Sequence, residues 1–113
     1  MRIPLSKLAT SLSAFTSSTV LALLSVSPIH EYVDGTKTDN VVGTRYSVAD
    51  PETFEKFDVK IMKATPIITQ KQLDAKDERV WVEFSGALVK PFKVEFGSAL
   101  CSVTADDVKL IKD

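Results

Sequence analysis

A small, mainly β domain is predicted by three features of the sequence. These are a long hairpin between Ser25 and Val48, strict apolar alternation in several later segments, and short connections throughout. Five or more short strands with one or two short helices would leave exposed sheet edges unless the sheet closes on itself. The predicted architecture is therefore a small closed or partly open barrel of about five strands, with a protruding hairpin.

Length and composition fit one domain. The chain has 113 residues, 44% of them apolar, so a single domain over 1–113 can bury one compact core. Lys and Arg total 14 against 15 for Asp and Glu, and a net charge of −1 gives no long-range attraction to polyanions. Any nucleic acid must therefore bind to a local patch.

The cysteine and histidine content limits the chemistry. Cys101 is the single cysteine, which excludes an internal disulfide and favours a reducing, cytoplasmic compartment. With His30 as the single histidine, a zinc site made of imidazole and thiolate is not expected, and no cofactor is predicted.

The N-terminal segment has two interpretations. Residues 1–17 are rich in Ser and Thr and are expected to form a short strand followed by a loop, or a partly ordered arm. The continuous apolar run Val20–Leu24 is shorter than the roughly 7–15 residues of a signal-peptide core, and no membrane partner is expected. An internal first strand is the preferred interpretation, and a signal peptide ending near Ser27 is the alternative.

The hairpin is indicated by its turn and by its flanks. Asp34-Gly35 supplies a positive φ, residues 36–40 are expected to be turn and solvent residues, and Pro28 suits an edge or a bulge. The expected base of the hairpin carries Tyr32, Arg45 and Tyr46, whose side chains are suited to stacking or to contacting phosphate.

Two short helices are predicted after the hairpin. Asp50-Pro51-Glu52-Thr53 has the pattern of a helix start, with Phe54 and Phe57 as apolar anchors. Thr69-Gln70-Lys71-Gln72 matches a capping box.

Alternation predicts the remaining strands. Phe57, Val59 and Ile61 are expected to point into the core, as are Val80, Val82 and Phe84, with Trp81 opposite. The inward set Phe92, Val94 and Phe96 predicts a further strand. Segments 100–103 and 108–111 complete the predicted sheet, separated by the turn at 104–107.

Enzyme chemistry lacks its usual motifs. The sequence has no Gly-rich phosphate loop, nucleophile elbow or metal-ligand cluster. Asp77-Glu78 and Asp106-Asp107 fit solvated turns better than a catalytic pair. The chain is therefore predicted not to be an enzyme.

The order of these elements resembles that of small OB-fold single-stranded DNA-binding proteins of mobile elements. This family includes the filamentous-phage single-strand-binding protein type and the helicase-processivity proteins of Gram-positive conjugative elements. The resemblance spans about residues 20–112 and lies in element order and in the placement of Gly and aromatic residues. The segments that carry it are Gly35-Thr36-Lys37 with Tyr46 nine residues later, 57–61, 80–84, 92–98 and 108–111.

The resemblance implies a five-stranded OB-like barrel that coats or clamps single-stranded DNA. Rolling-circle replication, conjugative transfer or phage replication is the implied setting, with a replication initiator or helicase as a protein partner and a homodimer as the implied assembly. The near-neutral charge of this chain departs from the family pattern.

The candidate DNA-binding residues are of two kinds, since single strands are held by aromatic faces and by spaced cations. The candidate stacking residues are Tyr32, Tyr46 and Trp81, and the candidate phosphate contacts are Lys37, Arg45, Lys60, Lys90 and Lys93. Two of these rings have an alternative role in the core. Tyr46 is expected on the same side of its strand as Val48, which favours burial, and Trp81 can instead cover a second small core.

Two other functions are compatible with the sequence. The chain can be a phage or plasmid protein-interaction module that uses the hairpin and its aromatic residues, or a small exported β-domain with an N-terminal signal peptide.

Overall fold

The computed structural model describes residues 2–4, 20–95 and 98–111. The fold is mainly β, as predicted. Within these residues lie eight strands and one short helix: β1 (Arg2–Pro4), β2 (Val20–Val33), β3 (Thr36–Ala49), β4 (Lys56–Ile61), α1 (Gln70–Asp74), β5 (Val80–Ser85), β6 (Leu88–Glu95), β7 (Ser98–Thr104) and β8 (Asp107–Ile111).

All of these strands belong to one sheet, which curls into a half-barrel. Its order is β1-β7-β4-β3-β2-β5-β8, and β6 pairs with β7 outside that path. Neighbouring strands are antiparallel except β4 and β7, which run parallel through Val59↔Val103 and Lys60↔Thr104. The predicted count of five strands is therefore wrong, because each segment with a strand pattern forms a separate strand and β1 adds one more.

The β2–β3 hairpin is confirmed, but its turn is shorter than predicted. Asp34 and Gly35 both have positive φ, 51° and 80°, as a tight two-residue hairpin turn requires. Residues 36–40 belong to β3 and are not a long turn. Tyr32 pairs with Lys37 beside this turn, so Tyr32 lies at the tip of the hairpin and not at its base.

The core lies on one face of the curled sheet. β2, β3 and β4 contribute alternate residues, such as Leu21 and Leu23, Tyr46 and Val48, and the predicted set Phe57, Val59 and Ile61. The other members of the core cluster are Val26, Ile68, Val82, Val89, Cys101, Val103 and Val108. Val80 and Phe84 pack against this cluster as partly buried residues.

The predicted capping box is present at α1. Thr69 Oγ1 accepts from Gln72 N at 3.1 Å, and Gln72 Oε1 accepts from Thr69 N at 3.0 Å. Gln70 Oε1 also accepts from Val26 N at 2.7 Å, which satisfies a backbone donor on β2 beyond the residues that pair with β5. This bond fastens the helix to the edge of β2.

The predicted helix after Asp50 is wrong. Asp50 is buried, and its Oδ1 accepts from Glu52 N at 3.0 Å as a helix cap would, but residues 51–53 form a turn. The φ of Phe54 is 61°, in the left-handed region, so the backbone cannot continue as a helix. The side chain of Phe54 is 78% exposed. Phe57 is a strand residue in β4.

The prediction that Phe92 and Val94 of β6 point into the core is also wrong. Pro91 pairs with Cys101 and Lys93 pairs with Leu100, so Phe92 is the extra residue of a β-bulge. Phe92 and Val94 are exposed, and Val89 is the residue of this strand that enters the core. Phe96 and most of the predicted N-terminal arm lie outside the described residues. No helix in the described part of the chain is long and apolar enough to cross a membrane.

Candidate functional site

Two adjoining cavities are lined by a mixture of apolar and charged side chains from β2, β3, β4 and their neighbours. One of about 610 Å³ extends from Ser25 and Ser47 to Phe92, and the other, of about 460 Å³, lies between Phe54 and Trp81. Leu24 and Lys56 line both cavities, so the two lie side by side, and we call them together the outer groove.

The strand register explains why polar side chains line the outer groove. Ser47 pairs with Asp58 and Arg45 pairs with Lys60, while their chain neighbours Tyr46 and Val59 face each other in the core. On β2, a register shift between Leu23 and Ser25 leaves Leu24 unpaired and partly exposed beside these residues. The groove therefore combines outward-facing side chains of β2, β3 and β4 with four core residues, Val48, Phe57, Cys101 and Val103, at its floor.

Three cations line the outer groove: Lys56, Lys60 and Arg79. Within the described residues, none of them forms an ion pair, whereas Lys63 is paired with Asp107 at 3.4 Å and Lys109 with Glu83 at 3.3 Å. The groove cations are therefore free to contact an anionic ligand.

Arg45 lies beside the groove and contacts one of its carboxylates. Its Nε is 3.9 Å from Asp58 Oδ2, which is an ion pair but too long for a hydrogen bond. Ser47 Oγ donates to Asp58 Oδ1 at 2.5 Å. Arg45 Nε has no hydrogen-bond partner among the described residues. Asp58 is thus held by two groups, while the buried Nε of Arg45 keeps an unused donor.

Three aromatic residues outside the core cluster line the outer groove, in addition to the core residue Phe57. Trp81 is half-buried, pairs with Ala22 and Ile111 on the outward face, and lies outside the core cluster. Phe54 is 78% exposed on the loop between β3 and β4, and Phe92 is 67% exposed on the bulge of β6. Rings that are not needed for the core are thereby presented to a ligand.

The structure divides the predicted binding residues into groups. Lys60 and Trp81 line the outer groove, and Arg45 is adjacent. Lys90 and Lys93 are exposed on β6, where Lys90 pairs with Ser102 of the groove wall. The remaining three predicted residues, Tyr32, Lys37 and Tyr46, lie elsewhere.

Tyr46 is a core residue, so the prediction that it stacks on a base is corrected. Its side chain is 1% exposed, and its ring meets Phe84 edge-to-face at 6.0 Å. Its hydroxyl accepts a hydrogen bond from Ile67 N at 2.9 Å. Burial is the main cause that raises the pKa of Tyr46, and the Asp107 carboxylate raises it further.

The loop between β4 and α1 is fastened to β3 by the bond from Ile67 to Tyr46 and by one other, and to β8 by an ion pair. Thr44 Oγ1 donates to the Lys63 carbonyl at 2.8 Å, and Lys63 forms its ion pair with Asp107. The Val108 N–H and the Lys63 ammonium hold the pKa of Asp107 below its usual range. The loop therefore has a structural role on the side of β3 that carries Tyr46.

Tyr32 and Lys37 lie at the hairpin tip, away from the outer groove. Seven residues along β2 separate Tyr32 from Ser25 of the groove, roughly 23 Å at about 3.3 Å per residue. The tip also carries Glu31, Asp34 and Asp39 against Lys37, so residues 31–40 have a net charge of −2. This surface repels a polyanion.

Four residues that line the outer groove are absent from the predicted binding residues: Phe54, Phe92, Lys56 and Arg79. The sequence predicts Phe54 in a helix and Phe92 in the core, because neither a left-handed residue nor a β-bulge is visible in an apolar pattern. Pro91 was the available signal for Phe92, since proline is tolerated in strands at edges and bulges.

In the described part of the chain, no group of three or more His, Cys, Asp or Glu side chains could hold a metal ion. Comparisons of the chain with protein-family models, curated proteins and solved structures found no match.

Proposed function

We propose that the chain is a non-enzymatic single-stranded DNA-binding protein and that the outer groove holds the strand. One observation carries the proposal: three aromatic rings outside the core cluster line two adjoining cavities together with three cations that form no ion pair among the described residues. Lys56 lies where the two cavities meet, between Trp81 and Phe92.

The chemistry of a single strand matches this arrangement. Unpaired bases offer flat faces that stack on aromatic rings, each worth about 1–3 kcal/mol, and the phosphates need cations spaced along the path. The groove crosses from β5 over β2, β3 and β4 to β7, about 19 Å if neighbouring strands are about 4.8 Å apart. That length accommodates a few nucleotides.

The strand connections support the finer proposal of an OB-like barrel. The paired order β2-β3-β4-β7 continues through Ala105 and Asp106 into β8, which pairs with β5, and β5 pairs with β2. Ala105 N donates to the Lys60 carbonyl and Asp106 N to the Ser85 carbonyl, so this corner bridges β4 and β5. In OB-folds, the face of the second and third strands and the loops beside it bind oligonucleotides. The outer groove occupies the corresponding face of β3 and β4.

A fluorescence titration tests the proposal, because Trp81 is the single tryptophan of the chain. Adding oligo-dT at low salt should quench the Trp81 emission, and the affinity should fall as salt rises. Unchanged emission at micromolar DNA, together with no change in anisotropy of labelled oligo-dT, would refute the proposal.

Binding of a protein partner at the hairpin tip is a second candidate function. Tyr32 and Val33 are 65% and 52% exposed there, surrounded by carboxylates that disfavour DNA. The tip is stiffened by Thr38 Oγ1, which donates to the Glu31 carbonyl at 2.8 Å, and by Asn40 Nδ2, which donates to Glu31 Oε2 at 2.7 Å. A replication initiator or helicase, as the resemblance implies, would dock on this tip while DNA occupies the groove.

Retention of the N-terminal half of β2 is part of the proposal. Cleavage near Ser27, as in the exported-domain alternative, would remove Leu21, Leu23 and Val26 from the core and the partner of β5 from the sheet. The setting in replication or transfer of a mobile element, the cytoplasmic location and a homodimer stay predictions.

A further inference from the structure

Phe54 combines two unfavourable features that the fold does not need. Its φ of 61° lies in the left-handed region, which is rare for a bulky residue, and its ring is 78% exposed. Because Phe54 is not part of the core cluster, burial of its ring does not offset the strained backbone.

The loop around Phe54 is fixed by four hydrogen bonds that centre on Asp50. Phe54 N donates to the Asp50 carbonyl and Asp50 N donates to the Glu55 carbonyl, both at 2.9 Å. The buried Asp50 carboxylate accepts from Glu52 N at 3.0 Å and from Thr53 N at 3.5 Å. The backbone therefore holds Phe54 in place without help from its side chain.

The fixed position places the ring on the wall of the outer groove. Phe54 lines the 460 Å³ cavity together with Trp81, Arg79 and Lys56. A ring that stands out from a rigid loop, next to a second ring and two cations, can stack on a base only if one face of that base is uncovered.

We propose that Phe54 is the residue that restricts the outer groove to unpaired bases. This inference rests on the proposed function and deepens it. In a duplex, both faces of each base are covered by neighbouring base pairs, so engaging Phe54 requires unstacking, whereas a single strand offers open faces. The strained backbone is retained because it presents the ring.

The test is the substitution Phe54→Gly, because glycine adopts a positive φ at no steric cost and removes only the ring. Denaturant unfolding should give a midpoint equal to or higher than that of the wild type. Affinity for oligo-dT should fall by about 5- to 150-fold, the equivalent of one lost stacking contact. Affinity for a duplex of equal length should change by less than twofold.

Three further variants sharpen the test. Phe54→Trp should restore selectivity for the single strand, and Met62→Ser, which removes an exposed apolar side chain just after β4 and outside both cavities, should leave both affinities unchanged. If Phe54→Gly fails to fold, Phe54→Asn replaces it, because asparagine tolerates the left-handed region.

The possible failures are distinguishable. If wild-type protein does not bind oligo-dT, the proposed function fails and this inference fails with it. If wild-type protein binds but Phe54→Gly binds oligo-dT equally well, the proposed function stands and the role of Phe54 is refuted. Equal losses for single strand and duplex would show a general contact and would also overturn the selectivity.

Discussion

Removal of one groove cation should change the salt dependence of DNA binding by a calculable amount. Lys56 is the best position, because it lines both cavities, is exposed, and forms no ion pair among the described residues. Lys56→Gln keeps the length of the side chain and removes its charge. Lys71→Gln, on the exposed surface of α1, is the matched control.

The magnitude follows from counterion release. For single strands, the slope of log K against log salt is about −0.7 per phosphate contact. If Lys56, Lys60 and Arg79 each contact a phosphate, the slope is about −2.1, and raising salt from about 50 to about 200 mM weakens binding about 18-fold. With Lys56 removed, the slope is about −1.4 and the loss about 7-fold.

Anisotropy of labelled oligo-dT at four or five salt concentrations measures both slopes. The affinity of Lys56→Gln should be lower than that of the wild type at low salt, and the two curves should converge as salt rises. A slope unchanged by Lys56→Gln, or changed equally by Lys71→Gln, would show that the groove cations do not contact phosphate.

The remaining predictions concern individual side chains. Tyr46→Phe should cost about 1–3 kcal/mol in urea unfolding, because the Ile67 N–H loses its partner. The raised pKa of Tyr46 means that its contribution to the free energy of unfolding is complete below about pH 10 and is lost as pH rises through the folded-state pKa. Wild-type stability should thus fall in alkali more steeply than that of Tyr46→Phe, and parallel curves would contradict the assignment. Thr69→Ala should cost about 1 kcal/mol by loss of the capping box, with unchanged affinity for DNA; an unchanged free energy of unfolding would show that the cap is not needed. Phe92→Ser should reduce oligo-dT affinity about 5- to 150-fold while leaving thermal unfolding unchanged, since the ring is exposed; lower stability would instead indicate a packing role.

Local sequence patterns correctly predict those parts of the fold that are determined by residues close together in the sequence. The Asp34-Gly35 turn, the inward set Phe57, Val59 and Ile61, and the capping box at Thr69 all follow from local conformational preference and side-chain parity. These elements needed no knowledge of the distant partners with which they pack.

The outer groove depends on features that the alternation of apolar and polar residues does not reveal. The β-bulge at Phe92 turns its side chain away from the predicted core face. At Asp50 the side chain caps the first turn as in a helix, but the left-handed backbone of Phe54 prevents a helix from continuing. The predicted residues Lys60 and Trp81 were identified correctly as polar-face residues, but their common groove arises from the pairing of β5 with β2 and of β3 with β4. Such pairing over long sequence separation cannot be read from local patterns.

The most direct test of the central claim is an NMR titration of ¹⁵N-labelled protein with oligo-dT. The account predicts that chemical-shift changes cluster at Ser25, Ser47 and Lys60 and at the indole N–H of Trp81, with residues 31–40 unaffected. Changes confined to residues 31–40, or no changes at saturating DNA, would contradict binding in the outer groove.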